Sequence, residues 1–299
     1  MADPAGLTII ERPTLDAPAL LVMLEGWIDA GGAAQATMQQ IEDRSGARTI
    51  ATFDTDRFID YRARRPVMEL RDGVATQLVW PGIELKVGRD LDGRDILLLT
   101  GHEPDSSWRL FGELVTEICI DLGVRIAVGL GAYPFGSPHT RAPRLSCTTP
   151  SIDLARRVTY LRNSVDVPAG AAAVLEQAFH ARGVPAIGLW AQVPHYIATM
   201  TYPGASVALL DGLGEVAGLR FDTEDLRRQA VVQRQRLDEL VAANPDHVAM
   251  LHQLEAAYDE MVAQTGGSVR GLGDVDPADL PTGDELAAEL EQFLRDQEG

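Results

Sequence analysis

Short apolar runs separated by longer amphipathic stretches dominate the first two-thirds of the chain. Residues 19–24 (Ala-Leu-Leu-Val-Met-Leu) are apolar at every position, the pattern of a strand covered on both faces. Similar runs return at 49–53, 95–100, 125–130 and 186–191. Between them, helices are predicted over about 32–43, 106–122 and 169–182, the last stopping at Gly183. Strands alternating with helices predict an α/β fold: a three-layer α/β/α core around a mostly parallel sheet.

Two regions break the alternation. Residues 66–71 and 74–80 read as strands joined by Asp72-Gly73, whose positions both tolerate positive φ, so a β-hairpin is expected within an insertion of about 66–88. It carries Leu70, Leu78, Val79 and Trp80 and must pack on its own domain or on another subunit. From about 220 the pattern turns helical. Leu226, Ala230, Leu237, Leu240 and Val241 form one stripe, with Thr223 as the expected N-cap. Val248, Leu251, Leu254, Tyr258, Met261 and Val262 form a second, begun by Pro245 and ended at Gly266. A connector over 266–281 and a last helix with Leu286, Leu290 and Phe293 follow. The expected organisation is a core domain over 1–219 and a C-terminal helical subdomain over 220–299 that lays its apolar side on the core.

Charge narrows the function. The net charge is −18, and residues 220–299 hold 18 acidic and 7 basic residues. Neither nucleic acid nor an anionic membrane is an expected partner, since both demand a basic surface. No apolar stretch is long enough to span a bilayer, and the start of the chain lacks a signal-peptide pattern, so cytoplasm is the expected location. Two cysteines, Cys119 and Cys147, make no disulfide scaffold. Lys86 is the only lysine. There is no P-loop, and a Schiff base would have to form on Lys86. No metal or cofactor motif occurs, and none is expected.

In a parallel sheet, ligands bind beyond the carboxyl ends of the strands. The expected ligand-binding residues are therefore Trp27, Asp29, Gly31 and Gly32 after the first strand and His102, Glu103 and Asp105 after the third. Tyr133, His139 and Arg141 follow the fourth, and His195 and Tyr196 the fifth. Gly31-Gly32 either turns the chain into its helix or offers amides to an anion. Asp105, Ser106 and Ser107 are N-cap candidates. His102, Glu103 and Asp29 are the candidates for acid/base work, but no nucleophile–base set is evident.

Glu25-Gly26-Trp27-Ile28-Asp29-Ala30-Gly31, Phe53-Asp54 followed by Tyr61-Arg62 and Arg64-Arg65-Pro66, Gly101-His102-Glu103-Pro104-Asp105, Gly129-Leu130-Gly131-Ala132 with Pro138-His139-Thr140-Arg141, and Val193-Pro194-His195-Tyr196 occur in that order. Together they resemble the proteasome assembly chaperone 2 family, in its actinobacterial branch, over about 7–265. The resemblance implies a core similar to purine nucleoside phosphorylases and peptidyl-tRNA hydrolases. It also implies a hairpin used to form a homo-oligomer, a trimer, and C-terminal helices lying over a ligand cleft. Three functions stay open: an assembly or docking protein with a proteasome-related partner, a hydrolase or phosphorylase for a small polar metabolite, and a ligand sensor with a moving helical lid.

Overall fold

The computed structural model describes residues 6–161 and 165–265. The chain opens with β1 (Leu7–Ile9), β2 (Ala19–Val22), α1 (Ala33–Ser45), β3 (Arg48–Phe53) and the one-turn α2 (Thr55–Phe58). The hairpin β4 (Val67–Arg71) and β5 (Val74–Val79) comes next, then β6 (Ile83–Arg89), β7 (Asp95–Gly101), α3 (Trp108–Asp121) and β8 (Ile126–Phe135). After β9 (Leu145–Thr148), α4 (Ile152–Arg157) and α5 (Ala171–Ala181), β10 (Ala186–Pro194) completes the sheet. The chain continues through α6 (Pro203–Ala217), α7 (Glu224–Ala242) and α8 (Pro245–Thr265).

The main sheet has eight strands in the order β1-β3-β6-β7-β2-β8-β10-β9. The central strands β7, β2, β8 and β10 are mutually parallel, whereas β1, β6 and β9 pair antiparallel with their neighbours. Because β6 opposes both β3 and β7, all five strands read from apolar runs point the same way. Their inward residues divide between two cores. Ala19, Leu21, Leu98, Val128 and Leu189 meet α1, α6 and α7. Leu20, Val22, Leu97 and Leu99 meet α3, α5 and the Phe53–Phe58–Phe111 cluster. Cys119 lies wholly inside this second core, and burial pushes its thiol far up from its ordinary range.

Asp72 and Gly73 have φ of 51° and 80°, the positive pair a type I′ turn needs, so the hairpin forms as expected. The insertion is shorter than the expected 66–88. Residues 83–89 form β6 inside the main sheet, where alternate residues are buried and half-exposed. Lys86 lies on β6 and pairs with Glu42 at 2.8 Å and Glu84 at 3.4 Å. Burial alone would lower its pKa, but the two carboxylates reverse this and raise it, the wrong direction for a Schiff-base amine.

The C-terminal pair α7–α8 forms as expected, but Thr223 makes no side-chain cap. Asp222 Oδ1 accepts from the Glu224 N–H at 2.9 Å, and Asp222 also pairs with Arg44. Leu226 and Leu237 anchor α7 in the core. The connector over 266–281 and the expected last helix lie outside the described residues. No helix among the described residues is long and apolar enough to cross a membrane.

Gly101 ends β7 at φ 113°, and a Cβ there would run into the Gly82 carbonyl. Gly82 itself has open space around its missing Cβ. Gly101→Ala is expected to cost about 3 kcal/mol or more in urea unfolding, and Gly82→Ala within about 1 kcal/mol of zero.

Candidate functional site

The parallel strands β7, β2, β8 and β10 are neighbours, so the loops after them gather on one rim. Glu25 bridges to His102 and Asp29 to Ala132, which ties the β2 loop to its neighbours on both sides. Every residue expected at the site is on this rim or in the loop that follows β8. Their side chains separate into two groups.

The first group surrounds a cavity of about 30 Å³ lined by Trp27, Asp29, Glu103, Leu130, Ala171 and Trp190, among others. That is room for about one water molecule. The cavity lies where α1 and α5 begin, and helix N-termini present unpaired amides that attract anions. The chain supplies the anions itself. Asp29 accepts from the N–H groups of Ala34 at 2.8 Å and Gln35 at 2.9 Å. Glu103 is 5% exposed and accepts from the Ala171 N–H at 2.8 Å, capping a helix that begins 68 residues later. Neither α1 nor α5 has a side-chain cap at its own N-cap residue. Burial raises the pKa of both carboxyls, against the opposing pull of the amides they hold.

Gly31 and Gly32 have φ of 64° and 57°, and the Gly31 N–H donates to the Ala198 carbonyl at 2.6 Å. They turn the chain into α1, and Asp29 takes the position an anion would occupy. His102 and Glu103 do not pair. His102 Nδ1 faces Glu25 Oε2 at 3.7 Å, while Glu103 points to α5. None of Asp105, Ser106 and Ser107 gives α3 a side-chain cap. Asp105 instead accepts from the Asp60 N–H and pairs with Arg64 at 3.2 Å, and Ser106 donates to the Arg57 carbonyl. Arg64 runs directly beneath Gly26, whose φ is 123°, and a Cβ there would come within 2.7 Å of Nη2. This explains why glycine stands in that loop.

The second group fastens the C-terminal helices. The Tyr196 hydroxyl accepts the His139 backbone N–H at 2.7 Å and also bonds His139 Nδ1 at 2.6 Å. Its Nε2 faces Asp238 Oδ1 of α7 at 3.2 Å. Burial lowers the His139 pKa, partly offset by Asp238. Arg141 holds Asp259 of α8 through two bonds of 3.0 and 2.7 Å and reaches Glu255, which also accepts from Thr140. Its guanidinium lowers the pKa of Asp259. His195 is exposed and meets the Tyr196 ring edge-on at 5.3 Å. Among the described residues no group of three or more His, Cys, Asp or Glu could hold a metal.

Sequence reasoning missed a polar strip on the sheet face nearest α5. Trp190 Nε1–H donates to Thr148 Oγ1, which donates to Glu176 Oε1 at 3.0 Å. Burial raises the Glu176 pKa to about 7. Gly188 leaves the space for it, since a Cβ there would lie 2.6 Å from Glu176 Oε1. Further along, Gln192 donates to the Tyr133 hydroxyl at 3.1 Å. A lone acid in an Ala-rich helix was the one available signal.

The fold and its rim define an α/β protein with the carboxyl edge closed by its own side chains. The chain belongs to the PAC2 family, whose model matches residues 23–241. It is similar to a protein of unknown function from Corynebacterium glutamicum (30% identity, TM-score 0.80, covering 87% of this chain and 99% of that one). It is also similar to a Mycobacterium tuberculosis protein of unknown function (29% identity, TM-score 0.80, 89% and 92%). A third is a proteasome-assembly chaperone homologue of Mycobacterium tuberculosis (31% identity, TM-score 0.72, 77% and 98%). No curated protein matches the chain.

Asp29→Ala frees the amides of α1 and is expected to cost about 1–2 kcal/mol by thermal unfolding. Glu176 gives a pH signature. Its pKa is raised from 4.5 to about 7, so the fold holds the proton more tightly than the unfolded chain. Its contribution is full below about pH 4.5 and is lost as pH rises through 7, a change of up to about 3 kcal/mol. Urea unfolding at pH 5 and pH 8 should show Glu176→Gln gaining on the wild type at the higher pH. A parallel pH dependence in the two proteins would refute the assignment.

Proposed function

We propose that this chain is a non-catalytic assembly protein that docks other chains, with a proteasome-related partner, and that it works as a homotrimer held by the β4–β5 hairpin. The observation that carries this reading is the hairpin's exposed apolar surface. Val67, Met68, Leu70, Val74, Leu78, Val79 and Trp80 are each 43–65% exposed. The hairpin forms its own two-stranded sheet, and its stem meets the body through the edge-on contact of Trp80 with Tyr61. An isolated two-stranded hairpin is marginal in water and gains stability when a partner covers it. A second copy suits this surface. Copies of a chain carrying −18 repel each other, and the hairpin's Glu69, Arg71 and Asp72 leave it close to neutral.

The rim supports the same reading over the hydrolase or phosphorylase alternative. Small-molecule pockets run to about 300–1,000 Å³. The rim cavity is about 30 Å³, and Asp29 and Glu103, two of the three acid/base candidates, are engaged as helix caps. The family relationship and the assembly-chaperone homologue supply the partner class. On this reading α7–α8 is a lid fastened by His139 and Arg141. The protein acts in the cytoplasm.

Met68 and Leu78 are paired across the hairpin. Light scattering on a sizing column should give the wild type three times the 32.3 kDa chain mass. Met68→Glu with Leu78→Glu should run as a monomer with unchanged circular dichroism. Mixed with purified proteasome subunits, the wild type should co-elute with them. A monomeric wild type, or a variant of unchanged mass, would rule out the hairpin's role; a wild type that never co-elutes would rule out the partner.

A further inference from the structure

Arg144 precedes β9, and its backbone carbonyl extends the ladder by accepting the Gln192 N–H at 3.0 Å. Gln192 pairs in turn with Tyr133 of β8. Directly opposed residues share a face of the sheet, so Gln192 and Tyr133 form a polar row across β10 and β8 that Arg144, just before β9, extends. Tyr258 of α8 lies over it, and the Arg144 guanidinium pulls its pKa down against the larger upward push of burial. Tyr258 is 5% exposed and Gln192 only 1%.

Two atoms of this row have no partner. Arg144 Nη1 and Gln192 Oε1 are both shut off from solvent and make no hydrogen bond among the described residues. Leaving either unmet destabilises the fold, and more so for a charged group. Arg144 also makes no ion pair among the described residues, although the chain has 44 acidic against 26 basic residues. Its near neighbour Arg141 holds two carboxylates. A half-buried guanidinium without a carboxylate, beside an amide oxygen without a donor, is complementary to a ligand that brings both.

We propose that Arg144 and Gln192 form a binding site for a carboxylate bearing an N–H on its α-carbon, closed over by Tyr258 of α8. The guanidinium takes the carboxylate through charge-assisted hydrogen bonds, and the Gln192 oxygen takes the N–H. Two sources carry this chemistry: a free amino acid and the terminal residue of a peptide chain. Entry requires α8 to lift. Its hold on the core is suited to that, because Tyr258 is its only buried apolar side chain among the described residues, and Thr140 and Arg141 supply polar fastenings.

Saturation-transfer NMR on the full chain tests the site with L-alanine, N-acetyl-L-alanine and N-acetyl-L-alanine amide. Ligands of this size are expected to bind in the millimolar range, with the uncharged amide about tenfold weaker or worse than the acid. Arg144→Met and Gln192→Met should each weaken the acid about tenfold while the circular dichroism and column mass stay those of the wild type. The Gln192 variant carries the test if the Arg144 variant does not fold. Preference for the acetylated acid identifies a chain terminus, and preference for L-alanine a free amino acid. Equal binding of acid and amide, no binding of either acid, or folded variants that bind as the wild type does would overturn the site. The column mass reads the hairpin separately, so either idea can fail alone.

Discussion

The rim of this protein is organised by two carboxylates that cap helices from a distance. A parallel sheet aims the N-termini of its crossover helices at the carboxyl edge, and each brings unpaired amides and a positive dipole end. Asp29 meets the first and Glu103 the second. Both come from the loops after the central strands β2 and β7, so one interaction sets loop conformation, helix entry and rim electrostatics together. Gly26 and Arg64 follow from it. The β2 loop must pass over the guanidinium that neutralises the Glu103 and Asp105 neighbourhood, and only a residue without Cβ does so at φ 123°.

The architecture was legible where burial was two-sided. The runs at 19–24, 49–53, 95–100, 125–130 and 186–191 all became strands of one direction, since full burial removes polar alternation. The strands that went unread were β1, β6 and β9, which are short or covered differently on their two faces. Ile83-Glu84-Leu85-Lys86-Val87 alternates like an exposed hairpin arm, although it lies between β3 and β7. Helix α6 was missed for the opposite reason. Its residues are apolar nearly all round and include Gly204, Gly212 and Gly214, so no single stripe marks a helix packed between the sheet and α7.

The rim was legible as a location and much less so as chemistry. Residue type and strand end place Trp27, His102, Tyr133 and His195 on one edge, but not which way each side chain turns. His102 and Glu103 are adjacent in sequence and diverge in space. His139 and Tyr196 are 57 residues apart and hydrogen-bond to each other. Partners on α7 and α8 decide the role of the His139 loop, and nothing local to that loop announces Asp238, Glu255 or Asp259. The unpaired row of Arg144 and Gln192 depends on β9–β10 register and was invisible without it.

The two ends of the molecule are held by different forces. The sheet and its four covering helices bury aliphatic and aromatic side chains, an interaction that salt does not screen. Helix α8 is held by Tyr258 and by charged groups from the β8–β9 loop, which salt screens more readily where they are exposed. Asp259 and Asp238 are about half exposed on their side chains, whereas the His139 ring is fully covered. The acidic surplus of α7 and α8 therefore has a structural use: it supplies the carboxylates that Arg141, Arg44 and the His139 ring face.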